Sequence, residues 1–195
     1  MGISAVSICN MALGKFGAQP VLALTEDSDN ARACNRVYEQ CRDSLLRRHP
    51  WNFAVNRATL AMLADAPAYG YDYAFQLPAN PYCLRVLELY EEREDGADWH
   101  IEGRTLVTDS DTARVKYIKR VTDPTQFDTG FVNALVPLIA SEVAIPITGE
   151  SGIAETMLKL YEKEYLEAIG EDALEGHADE DDKPVEDEGS WLSQR

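Results

Sequence analysis

Hydrophobic positions recur at two periods along this chain, and the change of period divides it into parts. Between Ser28 and Arg48, Cys34, Val37, Cys41 and Leu45 fall three and four residues apart and line one face of an amphipathic helix. Asp27, Ser28 and Asp29 supply oxygens to the unpaired N–H groups at its start, and Arg47 and Arg48 complement the carbonyls of its last turn. Pro50 disfavours helical geometry at His49, so a helix is predicted over 28–48. Trp51 and Phe53 follow, and Val55, Ala58 and Leu60 lead into a strand. The two aromatics are expected to be core residues pinning helix to sheet, since large aromatics bury about 150–250 Å² each.

The same reading predicts a short helix over 3–16 with apolar residues on a wide face, ended by Gly17, and Pro20 keeps the linker after it from continuing as helix. Over about 54–123 the period shortens. Leu84 and Val86, and Val115 and Tyr117, alternate with polar neighbours, Ile118 being the exception, and turn chemistry at Pro78, Asn80-Pro81, Asp95-Gly96, Glu102-Gly103 and Asp109-Ser110-Asp111 separates the segments. Helix returns over about 129–146, with Pro137 expected to kink it and Pro146 and Gly149 to end it. A last helix over about 151–172 carries Ala154, Met157, Leu158, Tyr161, Tyr165 and Ile169 as its apolar stripe. The expected fold class is therefore α+β: a bundle of about four helices with an inserted small antiparallel sheet or open barrel, residues 1–170 forming one domain.

Composition changes this picture at the C-terminus. The chain has 195 residues, 45% of them hydrophobic, enough for a substantial core, and a formal net charge of −16. Residues 171–195 contain ten carboxylates against Lys183 and Arg195, half of that net charge, and read as an acidic, disordered arm. Trp191 and Leu192 near its end read as a docking anchor for a partner, since Trp is enriched in binding hot spots. Clustered Lys and Arg suited to gripping a nucleic-acid duplex are not evident. No apolar run approaching the ~18–20 residues of a membrane span and no secretory leader are expected. Cys9, Cys34, Cys41 and Cys83 lack zinc or redox spacing and read as reduced, small core hydrophobes, consistent with folding in a reducing cytosol.

Candidate chemistry is sparse. His49, His100 and His177 are scattered, so capping or surface roles are expected and no metal site. Cys34 and Cys41 would lie ~10 Å apart on one helix, too far for a disulfide. Glycoside hydrolysis would need two carboxylates about 5–9.5 Å apart. Glu142, within the apolar run IASEVAI, is the nearest candidate acid, with a structural role the stronger reading. The nucleotide, zinc-protease and serine-hydrolase motifs are missing. Arg42, Arg47, Arg48 and Arg57 read either as contacts between subunits or as a solvated face complementing the helix dipole.

Three stretches carry a resemblance to a known family: residues 8–61, including the turn HPWNFA after an Arg-rich helix end; residues 74–91 (AFQLPANPYCLRVLELYE) with IEGRTLVTD at 101–109; and residues 115–148. In this order they resemble the tail tubular protein A, or head-to-tail adaptor (connector), family of short-tailed bacteriophages, over most of residues 3–170. The acidic tail lies outside the resemblance. What the resemblance implies is a structural virion protein, not an enzyme, with no cofactor and no membrane contact. Such a protein forms a dodecameric ring between the portal protein and the tail nozzle protein, and DNA passes through its channel without specific binding. It would reside in the neck of the virion, and in the host cytoplasm during assembly. On that reading the polar side of the long helix, Arg36, Glu39, Asp43 and Arg47, meets neighbouring copies or the portal, and the arm 171–195 docks on the portal through Trp191 and Leu192. The alternatives are a virion-associated peptidoglycan hydrolase and a cytosolic binding module.

Overall fold

The long helix predicted from 28–48 is α2, Asp29–Arg48, and its ends follow the local chemistry. Ser28 accepts a hydrogen bond from the Ala31 N–H, and His49, ahead of Pro50, is extended at φ −132° and ψ 145°. The computed structural model describes residues 2–90 and 98–177, which form four α-helices and seven strands. The helices are α1 (Ala5–Gly14), α2, α3 (Thr129–Thr148) and α4 (Ser151–His177). The strands are β1 (Val55–Thr59), β2 (Ala61–Met62), β3 (Tyr73–Gln76), β4 (Cys83–Tyr90), β5 (Trp99–Glu102), β6 (Thr105–Thr108) and β7 (Arg114–Lys119). The molecule is thus mixed α and β, with the strands between α2 and α3 as expected. The Asp95-Gly96 turn lies outside the described residues.

The strands form two antiparallel sheets, ordered β1-β7-β4 and β2-β3-β6-β5. Leu60, Phe75, Leu106, Val115 and Tyr117, drawn from or beside strands of both sheets, bury themselves in one core. The first sheet also faces the helices through Ile118, which belongs to the helical core. That explains why Ile118 breaks the alternation: both faces of β7 are apolar at this end.

Strand β4 departs from period two altogether. Cys83, Val86 and Leu89 pack into the sheet core, whereas Leu84 and Leu87 pack on the helical core. Two register shifts against β7, at Cys83/Arg85 and Val86/Glu88, produce this spacing, because each bulge turns the following side chains by one position.

Helix α3 packs on α4, α2 and α1 and buries eleven of its twenty residues, among them Phe131, Leu135 and Ile139. By length and composition it could cross a membrane, with mean hydropathy 1.7, which corrects the expectation that no run approaches that limit. A helix apolar on most sides is equally what the centre of a folded core requires. Pro146 does not end it; the helix runs to Thr148 and stops at Gly149, whose φ of 74° is left-handed. Near its start, a Cβ on Gly130 would meet the Ala168 Cβ at 3.0 Å, so the glycine permits the close approach of α4.

Trp51 is fully buried and its ring packs edge-on against Phe131 of α3 and Tyr165 of α4, with centroids at 5.3 and 6.4 Å. Its Nε1 donates to the Leu45 carbonyl at 3.0 Å. The aromatic turn therefore ties the end of α2 to α3 and α4 more than to a sheet. The boundary expected at 170/171 also moves. Helix α4 continues to His177, and Asp172, counted in the acidic arm, is 7% exposed.

Candidate interaction site

A cleft of about 750 Å³ opens between α2 and the strand region. Its charged lining is Asp43 and Arg47 from α2, Arg85 from β4, Arg104 at the head of β6, and Arg120 beyond β7. Among the described residues, four arginines against one aspartate give this cleft a positive lining in a chain whose net charge is −16. Sequence reading missed this cluster because its members come from separate segments; the hairpin glycine Gly103 (φ 62°) and the bulged β4 bring them together.

The guanidinium groups are held in place by aromatic stacking and backbone carbonyls. Arg104 and Arg120 both lie against the Tyr82 ring, at 4.0 and 4.4 Å from its centroid. Arg104 also donates to the carbonyls of Cys83 at 2.7 Å and Pro78 at 2.6 Å. Arg47 donates to the Leu84 carbonyl at 2.9 Å. Asp43 takes Arg42 on one carboxylate oxygen at 2.9 Å and Arg120 on the other at 2.7 Å. The Nε of Arg120 is buried with no hydrogen-bond partner among the described residues, and Arg85 makes no ion pair there. These unfilled donors suit a carboxylate-bearing group.

The residues singled out from sequence fall into three sets. Arg36 and Glu39 are exposed and make no ion pair within the described chain. Asp43 and Arg47, expected on the same free face, are engaged inside the molecule, holding α2 to the strand region. Trp191 and Leu192 lie outside the described residues. Of the other arginines, Arg42 is 4% exposed, which corrects its reading as a surface or subunit contact; burial with Asp43 gives it a structural role. Arg48 donates to the Tyr161 hydroxyl at 2.7 Å and stacks on Tyr165 at 4.5 Å, so more than the helix dipole places it. Arg57 is exposed on β1, opposite Lys116.

Glu142 is exposed on α3, so the buried environment that would mark a catalytic acid is missing there. The small cavity beside it is lined by Val37, Gln40, Cys41, Ser44 and Leu138, with no second carboxylate. Among the described residues, no group of three His, Cys, Asp or Glu side chains is placed to hold a metal ion. His49, expected as a cap or surface residue, instead contacts Asp172 at 3.0 Å.

All four cysteines are buried thiols. The hydrogen bond shared by Cys9 and Cys34, and then burial, raise the Cys9 thiol, while burial pushes Cys41 up to about 12. Cys9 and Cys41 therefore stay protonated near neutrality, whereas the same hydrogen bond lowers the Cys34 thiol against the opposing effect of burial. No protein-family model matches the chain, and no curated protein matches it.

Proposed function

We propose that the chain is a structural adaptor of a short-tailed phage virion, assembling as a ring between portal and tail nozzle. The observation that carries this reading is the pairing of a positive cleft with an otherwise acidic molecule. Identical copies meeting head to tail present two different surfaces to one another, and opposite charge on the two favours that contact and its register. The exposed pair Arg36 and Glu39 lies on the same helix as that cleft and offers a second polar contact. On α4, Leu158, Leu166 and Leu174 are 46%, 64% and 74% exposed, apolar area that contact with a portal or a neighbour would cover.

The order of helical and strand parts supports the reading too: a bundle-like helical layer for the portal and a strand layer for the nozzle. The C-terminal arm then begins after His177 rather than at residue 171. DNA would pass the assembled ring without being held, because an acidic wall lacks the counterion-release attraction of clustered cations. Peptidoglycan hydrolysis is the weaker reading, since among the described residues the large cleft holds a single carboxylate, already committed to two arginines.

The test is mixing with the portal protein encoded in the same genome, followed by sedimentation velocity. A discrete complex much heavier than the portal alone is expected, with blank zymograms on cell walls. Lack of any portal complex overturns the adaptor reading, and lysis zones on the zymogram favour the hydrolase.

A further inference from the structure

We propose that the arginine cleft is a docking site for the acidic C-terminal segment of the same chain, residues 179–192. Three observations converge on this occupant. The first is charge. Residues 179–188 carry seven carboxylates and one lysine, and among the described residues the cleft offers four guanidiniums against one carboxylate. Among the described residues Arg85 has no ion-pair partner to give up when a carboxylate arrives.

The second is the order of chemistry. Beyond the acidic run come Trp191 and Leu192, and beside the arginines the cleft wall is apolar: Leu77, Val86, Trp99 and Ile101. Ile101 is 41% exposed. An acidic stretch followed by an aromatic anchor matches a cationic wall continuing into an apolar one.

The third is reach. Asp172 on α4 touches His49, two residues from Arg47 of the cleft. From Asp172 the helix advances only about 7 Å to His177, and thirteen further residues span at most about 45 Å when extended. Along α2 the cleft occupies about 11 Å from Gln40 to Arg47. The tethered segment therefore meets its own cleft at high effective concentration, ahead of a second copy at ordinary protein concentrations. Occupied this way, the cleft is closed to any other acidic partner until that partner displaces the segment.

The test uses the full chain and a dye-labelled synthetic peptide of residues 178–195, read by fluorescence anisotropy. In one variant the seven acidic residues at 179–182 and 186–188 are changed to their amides, which empties the cleft without shortening the chain. The peptide should bind this variant at least tenfold more tightly than the parent, with affinity falling as salt rises. Adding Arg85→Glu should remove at least tenfold of that affinity, and Arg85→Gln less, with unchanged circular dichroism. Equal binding to parent and variant, or indifference to Arg85, overturns the proposal. A parent that dimerises with concentration, while the amide variant does not, overturns the same-chain assignment. The adaptor reading uses the same cleft for a neighbouring copy, which must displace the segment, so portal binding is measured separately by sedimentation to tell the two failures apart.

Discussion

His49 Nε2 lies 3.0 Å from the Asp172 carboxylate, and this contact joins the residue after α2 to the last turns of α4. The other Asp172 oxygen accepts the Asn52 N–H at 3.0 Å, and Asn52 Nδ2 donates to the Asp172 carbonyl at 2.7 Å. One buried carboxylate thus organises the aromatic turn that follows Pro50. Replacing it by alanine leaves the Asn52 N–H and the His49 ring without their acceptor. Asp172→Ala should cost about 2 kcal/mol in urea unfolding, and Asp172→Asn less, on the scale of hydrogen bonds to a charged group. A chain ended at residue 170 should lose at least as much. Unchanged midpoints would show that the node is ornamental.

Asp43 is the corresponding tie at the cleft. Arg42 is buried, and removing its carboxylate strands a guanidinium in a poorly solvated place. Asp43→Ala should destabilise by about 3 kcal/mol, and Asp43→Asn, which keeps acceptor geometry, by less. Chemical denaturation measures both.

The buried thiols set an alkaline limit. Below the ordinary thiol value of 9.0, Cys41 is protonated in both folded and unfolded chains. Above it the unfolded chain releases the proton, while the folded chain holds on until about 12. The unfolded state then binds fewer protons, so stability falls as pH rises through that window. Tyr38, pushed up to about 12 by burial, adds to the fall above its ordinary value of 10.0. Urea midpoints should drop from about pH 9 towards about pH 12, less steeply in Cys41→Ala. A flat profile would contradict the burial argument. In the native protein at neutral pH a thiol reagent should label none of the four cysteines rapidly, and all four in denaturant.

Arg36 and Glu39 test the ring contact. Both are exposed and unpaired within the described chain, so Arg36→Glu with Glu39→Lys should leave thermal unfolding within about 0.5 kcal/mol of the parent and impair assembly. Arg47 is unsuitable for this purpose, because its bond to the Leu84 carbonyl couples any substitution to the α2–β4 packing.

What was legible in the sequence is what local chemistry decides. Ser28 and Pro50 bound α2 and Gly149 closes α3, each through neighbours a few residues away. Long-range pairs were invisible: Arg120 with Asp43, Arg48 with Tyr161, and Asp172 with His49 depend on how α4 and β7 return to α2. Asp172 was misplaced for a physical reason. Embedded in a run of carboxylates it counts as solvated surface, and only the Asn52 N–H and the His49 ring make its burial favourable. Strand β4 was blurred similarly, since its two bulges convert a period of two into spacings of three. The arginine cleft combined both difficulties, drawing single residues from four segments that carry no motif.

The most direct measurement of the central claim is electron microscopy of the full chain mixed with its portal protein. A twelve-fold collar on the portal, with the α2 face bearing Arg36 and Glu39 against a neighbouring copy or the portal, is the predicted result. Free monomers beside bare portals, at concentrations where both proteins are folded, would contradict it.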